Sequence, residues 1–322
     1  MHRYILQRLV AFVPILIGIS LLVFLAIRLI PGDAITANLG TEAGMLTQTQ
    51  RAALERYYGI DKPAVEQYFI WAGEALQGNL GYSIRHGKPV LELILERFPL
   101  TLQLALMAVV IGVTVGIPFG ILAAVRHNSV IDLAGRLFAL AGLALPNFLI
   151  GTLIIYVLSV VFGILPTAGN YTRFDEDPIK NLQQLFFPAV TLGFSFSASV
   201  MRMTRSSMLE VLGEDYIRTA RSKGLHENRV VLRHALRNAL IPVITLVGIE
   251  MGYLLGGTFI VEHLYALPGL GRLTVNAISQ REYALVQGSV LFIAVNFVII
   301  NLLVDFIYAA VDPRISYDRR SR

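Results

Sequence analysis

The sequence has 322 residues, of which 55% are hydrophobic and 15% charged, and its mean hydropathy is +0.63. Soluble chains carry about 25% charged residues, so this composition excludes one or two ordinary soluble domains. The absence of cysteine excludes disulfides, thiolate metal sites and a cysteine nucleophile, whereas the net charge of +5 is compatible with nucleic acid or a membrane as partner.

Six apolar runs approach or exceed the ~18 to 20 residues needed to cross a bilayer, which predicts an all-α integral membrane protein with six transmembrane helices. The first run has a short basic leader but is longer than a cleaved signal's apolar stretch of ~7 to 15 residues, so we expect it to be retained. The fourth is the least apolar, because residues 194–199 read Phe-Ser-Phe-Ser-Ala-Ser, and it is predicted to pack inside a bundle. The predicted spans are 9–30, 100–125, 137–162, 186–201, 240–261 and 286–310.

The basic residues indicate the orientation of these spans. One set of loops holds 16 Lys and Arg in 66 residues, and the other holds 10 in 116. By the positive-inside rule the first set is cytoplasmic together with both termini, so the basic excess does not require nucleic acid. The cytoplasmic set is 1–8, 126–136, 202–237 and 312–322, and the outer set is 31–99, 163–185 and 262–285.

Residues 31–99 form the one sizeable outer segment. Helical patterns over 50–58 and 64–76, with a turn at 78–81, predict a small folded cap. The segment is too short to bury much core by itself, so we expect it to lean on the bundle or on a partner.

Several catalytic motifs are missing from the sequence. There is no Gly-x-x-x-x-Gly-Lys-Ser/Thr loop for phosphate, no His-Glu-x-x-His metal pair and no Gly-x-Ser-x-Gly elbow. We therefore expect no catalytic residue, no metal site and no ATP hydrolysis in this chain.

The longest cytoplasmic loop, residues 202–237, predicts the order helix, glycine, short helix, glycine, helix. Gly213 and Gly224 bracket the short helix, which has acidic residues at its start and Arg221 and Lys223 at its end, as the helix dipole favours. Tyr216, Ile217 and Ala220 are expected on one side of it. Such a helix is suited to dock in a groove of another protein, and the alternative is a basic loop that only fixes the topology.

Ordered matches to a known family run along the whole chain. In the long loop they are RMTRSSMLEVL at 202–212, DYIRTAR at 215–221, KGL at 223–225 and H-x-LRNA at 234–239; elsewhere they are PGD at 31–33, G-x-LG at 78–81, PGLGR at 268–272, REY at 281–283, NLLVD at 301–305 and DPR at 312–314. With these motifs the sequence resembles the permease subunits of ABC importers in the dipeptide, oligopeptide and nickel branch.

In that family the long loop carries a Glu-Ala-Ala-x-x-x-Gly motif, which forms the coupling helix that inserts into the ATPase subunit. Aligned on Gly224, this sequence keeps Ala220 but has Arg218 and Thr219 where the general motif has Glu-Ala. These departures resemble the peptide branch's own variant, and contacts of the missing glutamate are not transferred. The resemblance implies that the ATPase-coupling residues are Asp215, Tyr216, Ile217, Arg218, Thr219, Ala220, Arg221, Lys223, Gly224 and Leu225.

The resemblance also implies a type I ABC importer fold that works by alternating access. Its expected partners are a second homologous permease, two ABC ATPases, an extracytoplasmic solute-binding protein received by the outer segments, and the lipid bilayer. ATP and Mg would be bound by the ATPases, and this chain would bind no cofactor. The implied location is the bacterial or archaeal cytoplasmic membrane. The implied organisation is an N-terminal transmembrane helix (1–30), the outer segment (31–99), a permease core (100–311) containing the coupling loop, and a cytoplasmic tail (312–322).

Polar residues inside the predicted spans are candidates for the passage. Glu250 and Asn147 are the passage-lining candidates, and for Glu250 the alternative is a carboxylate satisfied by a neighbouring helix. Asp305 is interpreted as interhelical glue. Two other functions stay open: an ion-coupled secondary transporter using Glu250 and Asp305, and a membrane scaffold or receptor. Within the importer class the open substrates are dipeptides, longer peptides, nickel chelates, glutathione and opine-like compounds.

Overall fold

The computed structural model describes residues 2–29, 44, 46–57, 61–166 and 171–311, which are mostly helical. The chain divides into two compact units, residues 1–100 with 268–298 and residues 101–267 with 299–322. The described elements are α1 (His2–Arg28), α2 (Gln48–Tyr57), α3 (Ala64–Leu76), β1 (Tyr82–Ser83), β2 (Lys88–Pro89), α4 (Val90–Val125), α5 (Val130–Ala144), α6 (Asn147–Phe162), α7 (Pro178–Leu212), α8 (Asp215–Ser222), α9 (Glu227–Arg229), a π-helical segment (Val230–Ala235), α10 (Leu236–Gly257), α11 (Phe259–Leu264), α12 (Leu270–Ser279) and α13 (Tyr283–Val311).

Four described helical stretches are long and apolar enough to cross a membrane: Val90–Val125, Pro178–Leu212, Glu227–Leu254 and Tyr283–Val304. The third predicted span corresponds to α5 and α6, which are bent by 104° and count as a fifth crossing if they form one broken span. The break falls at Pro146, whose ring removes a backbone donor from any continuous helix. In α1 the apolar stretch is the shorter Val10–Ala26. The described residues therefore give four or five spans where hydropathy predicts six.

The first unit has its own apolar core. Leu80, Val90 and Ile94 pack with Leu270 and Leu285 in this core. The β1–β2 hairpin pairs Tyr82 with Pro89 in antiparallel register and leads directly into α4. Within the same unit α1 buries the ring of Phe24, which contacts Tyr68 and Trp71 on α3 at centroid distances of 5.3 and 6.0 Å. The predicted helices at 50–58 and 64–76 are confirmed as α2 and α3.

Helix α7 is the centre of the second unit. In its apolar window 67% of the residues are buried, against 28 to 33% in the other three spans. This confirms that the small polar run at 194–199 lies inside a bundle. The neighbouring helix α4 approaches α7 through three glycines spaced four residues apart, because a Cβ there would lie 1.9 to 2.8 Å from α7 atoms; they are Gly112, Gly116 and Gly120.

Candidate functional site

The short helix predicted within residues 202–237 is α8, and its ends are set by local hydrogen bonds. It begins after Gly213 and ends at Lys223, where two backbone N–H groups satisfy the last carbonyls. Gly224 N–H donates to Arg221 O at 2.9 Å, and Leu225 N–H donates to Ala220 O at 3.4 Å. This is a Schellman arrangement, which places Gly224 in the left-handed region with φ of +74°. The predicted order of helices and glycines is therefore confirmed.

One face of α8 is buried in an apolar socket. Ile217 is fully buried, which stabilises by about 1.5 to 3 kcal/mol, and the smaller Ala220 is nearly buried. The other members of this socket come from the end of α4, from α7, from the π-helical segment and from α10: Ala124, Met208, Val230, Val231, Ala235 and Ala239. The helix is thus seated on several spanning helices at once.

The opposite face of α8 is exposed. Asp215, Arg218, Thr219 and Arg221 are all exposed. Arg218 Nη1 lies 3.4 Å from Asp215 Oδ1, an exposed pair of small energetic weight. The polar face is therefore free to contact another protein, within the part of the chain that the structure describes.

Tyr216 lies at the edge of the side that carries Ile217 and Ala220 and is not buried with them. Its side chain is 40% exposed, and its hydroxyl accepts a hydrogen bond from Asn238 Nδ2 at 2.7 Å. The phenol needs a polar partner, so it lies at the edge of the socket with its hydroxyl on α10.

A charged clasp joins α8 to α9. Arg221 donates through Nη2 to Glu227 Oε1 at 2.7 Å and through Nε to Oε2 at 3.1 Å. The hydrogen-bonded carboxylate raises the pKa of Arg221 above its usual value, so the guanidinium remains charged. Lys223 and Leu225 complete the turn, with Leu225 packed on the socket.

The two passage candidates both lie against α7. Asn147 Oδ1 accepts a hydrogen bond from Ser195 Oγ at 2.6 Å, and the Glu250 carboxylate interacts with the Ser199 hydroxyl. Ser195 and Ser199 are four residues apart and share one face of α7, about 6 Å apart along the axis. The structure therefore brings Asn147 and Glu250 to one polar strip, and both side chains are half-buried.

The remaining polar candidates do not form a described relay. The Asp305 side chain lies outside the described part of the chain. Asn296 donates from Nδ2 to the Phe292 carbonyl oxygen of its own helix at 2.8 Å. Within the described ranges, no three His, Asp or Glu side chains lie together as a metal site.

Sequence analysis did not identify two buried carboxylates. Glu262 on α11 accepts hydrogen bonds from Thr101 Oγ1 at 2.6 Å and from Thr258 Oγ1 at 3.0 Å. In the first unit Ser83 Oγ donates to Glu282 Oε2 at 2.7 Å, which ties the hairpin to the start of α13. The pairs Thr101–Glu262 and Ser83–Glu282 join residues 161 and 199 positions apart, so no local pattern could reveal them.

Comparison with known proteins covers nearly the whole chain. The family model "Binding-protein-dependent transport system inner membrane component" matches residues 116–317, and its N-terminal companion, "Binding-prot-dependent transport system membrane comp, N-term", matches residues 1–105. The oligopeptide transport system permease protein AppB of Bacillus subtilis (strain 168) is 42% identical over 98% of this chain and 100% of that protein. The dipeptide transport system permease protein DppB of Escherichia coli (strain K12) is 39% identical over 99% of this chain and 100% of its own length.

A solved structure shares the fold. The inward-facing MetNI methionine ABC transporter matches with a TM-score of 0.54 and 18% identity, over 72% of this chain and 100% of that chain. At that identity the match shows the fold alone.

Proposed function

This chain belongs to the family of binding-protein-dependent transport system inner membrane components, and on that premise we propose that it carries peptides or similar small solutes through the membrane. It is a permease subunit of an ABC importer and not an enzyme, so ATP is hydrolysed on separate subunits. The observation that best supports an ATP-coupled role is the geometry of α8, whose apolar face packs in the socket while its polar face is exposed.

We propose that α8 is the coupling helix. A partner ATPase would contact its exposed face, which carries Asp215, Arg218 and Thr219, while Ile217 and Ala220 hold the helix on the bundle. Because the socket includes the ends of α4, α7 and α10, displacement of α8 is passed to several spanning helices together. Two ATPases, a second permease and a solute-binding protein on the outer loops would complete the assembly, with ATP and Mg bound by the ATPases.

We propose that the chain crosses the membrane six times, with both termini in the cytoplasm of a bacterium or archaeon. The long α1 and the bent α5–α6 pair would each supply a crossing beside the four long spans. The greater density of basic residues on the loops at 126–136 and 202–237 supports this orientation.

We propose that the strip of Asn147 and Glu250 lines the passage for solute. Both side chains are half-buried, and the carboxylate offers a counter-charge for a cationic group that distinguishes one solute from another, such as a lysine side chain. The hydrogen bond between Glu250 and Ser199 is equally compatible with a carboxylate that only joins two helices, so the test must depend on charge.

The chain purified by itself is expected to release no phosphate from Mg–ATP, because no phosphate-binding loop exists in its sequence. Co-expressed with its ATPases, the same chain is expected to copurify with hydrolytic activity. Phosphate release from both preparations checks this. Hydrolysis by the isolated chain at the rate of the assembly contradicts the proposal.

Glu250→Gln is expected to reduce transport of a lysine-containing dipeptide about tenfold relative to alanyl-alanine, since a charge-assisted hydrogen bond contributes roughly 1.5 to 3 kcal/mol. The substitution removes a charge with little change in volume, so the assembly is expected to form normally. Glu250→Asp, which keeps the charge, is the control. Equal loss for both dipeptides, or failure of the complex to assemble, assigns Glu250 to packing.

A further inference from the structure

A buried ion pair joins α5 to α7 in the second unit. Asp132, the third residue of α5, is fully buried, and Arg205 on α7 is partly buried. Arg205 donates from Nε to Asp132 Oδ1 at 2.5 Å and from Nη2 to Oδ2 at 2.9 Å. The Asn128 backbone N–H also donates to Oδ2 at 3.1 Å. This bidentate geometry fixes both the distance and the orientation of the two helices.

The pair lies close in sequence to the proposed coupling helix. Arg205 precedes the end of α7 at Leu212 by two turns, and α8 starts at Asp215. Met208, less than one turn beyond Arg205, belongs to the socket that holds Ile217. The guanidinium therefore lies on the rigid helix that carries α8.

Close packing continues from the pair along α5. A Cβ on Gly135 would lie 2.2 Å from Met201 Cε, and a Cβ on Gly142 would lie 2.4 Å from Ala198 Cβ, so both positions bring α5 against α7. Helix α5 ends at the break before Asn147, whose side chain bonds to Ser195 on the same α7. The ion pair and the passage strip are thus opposite ends of one α5–α7 contact.

We propose that the Asp132–Arg205 pair is a positioning element that makes α5 move with α7, so that displacement of α8 reaches Asn147 in the passage. This inference rests on the proposed coupling role of α8. Asp132 is fully buried and Arg205 is partly buried, and both act through the helices that they join. The Asp132→Asn substitution retains the shape of the side chain but removes the carboxylate that accepts the two charge-assisted hydrogen bonds.

The first test is made in the complete assembly, with ATP plus vanadate and without solute. The chain has no native cysteine, so in an assembly whose partner subunits have had their cysteines replaced, cysteines at the exposed positions Leu140 on α5 and Glu210 on α7 take spin labels selectively. In the parent we expect the label distance to stay constant between the nucleotide-free and vanadate-trapped states. In Asp132→Asn we expect it to change. The inference is overturned if the label distance stays constant in both the parent and Asp132→Asn. It is also overturned if the distance changes in the parent.

The second test measures alanyl-alanine uptake per ATP hydrolysed. Asp132→Asn and Arg205→Gln are each expected to lower this ratio about tenfold or more, and the double variant is expected to lose no more than either single variant, as for residues that act as a unit. Arg136→Gln is the matched control, because its guanidinium lies 3.6 Å from Asp132 Oδ2 but is 51% exposed. We expect the control to retain the parental ratio.

The outcomes separate this inference from the proposed function. Additive losses in the double variant reduce the pair to a folding element and overturn the inference. Arg205→Lys keeps the positive charge, so it supplies a folded comparison if a neutral variant does not assemble. If Arg205→Lys shows the parental coupling ratio and a constant label distance, the inference that bidentate geometry is required is wrong. If Gly224→Asp and Asp132→Asn both couple normally, the coupling assignment of α8 fails as well.

Discussion

Gly224→Asp is expected to leave the protein in the membrane while lowering ATPase copurification about tenfold and uncoupling hydrolysis from uptake. Gly224 has a φ of +74°, where a residue with a Cβ pays about 1 to 2 kcal/mol, and tenfold corresponds to about 1.4 kcal/mol. An aspartate at the end of α8 also opposes the helix dipole. Because an eight-residue helix has few hydrogen bonds to lose, we expect this turn to unwind.

Among the residues that the structure describes, nothing lies within 4 Å of a Cβ built on Gly224, so a clash with them is not the cause. Gly163→Asp is therefore a matched control: Gly163 also has a left-handed φ, +65°, ends a helix and faces open space. It should carry the same backbone strain with normal ATPase docking. Full uptake and normal copurification in Gly224→Asp require that residues 215–225 be removed from the coupling site.

Gly116→Leu is expected to lower the thermal unfolding midpoint of the detergent-solubilised protein by at least about 5 °C, because overpacking costs roughly 1 to 3 kcal/mol or more. A Cβ at Gly116 would lie 2.8 Å from the Ser197 carbonyl oxygen and 2.8 Å from Val200 Cβ on α7. The backbone atom cannot turn aside as a flexible side chain does, so α4 and α7 must separate.

Gly18→Leu is the control for the added hydrophobic bulk, because a Cβ on Gly18 of α1 meets no atom of the described ranges within 4 Å. We expect its unfolding midpoint to equal or exceed that of the parent, since glycine is a poor helix former. Equal midpoints for the two leucine variants contradict the close α4–α7 approach.

Local chemistry explains the parts of this molecule that the sequence predicts well. The helix–glycine order of the loop at 202–237 was predictable because Gly213, Gly224 and the charges between them act within a few residues, and the break at Pro146 has an equally local cause. The burial of α7 inside the second unit follows from its small and polar residues. These features need no knowledge of distant contacts.

Contacts distant in sequence explain most of what was missed. Asp132 and Arg205 are 73 residues apart, so neither residue reveals the other, and an acid at the start of a span resembles an ordinary helix-capping residue. The strands of the β1–β2 hairpin contain two residues each, too few for an alternating pattern. Helical spacing gave the direction of Tyr216 but could not reveal the polar partner that its hydroxyl has on α10.

The π-helical segment at 230–235 makes this part of the chain sensitive to its length as well as to its apolar side chains. A π turn holds an extra residue compared with an α turn, so deleting one residue there would leave an ordinary helix. Everything before the deletion would then rotate by about 100° relative to α10, which is the angle of one residue in an α-helix. Val230 and Val231 would leave the socket under α8 although no apolar residue had been replaced. Natural variation in this stretch should therefore take the form of substitutions, with insertions and deletions confined to the loops outside it.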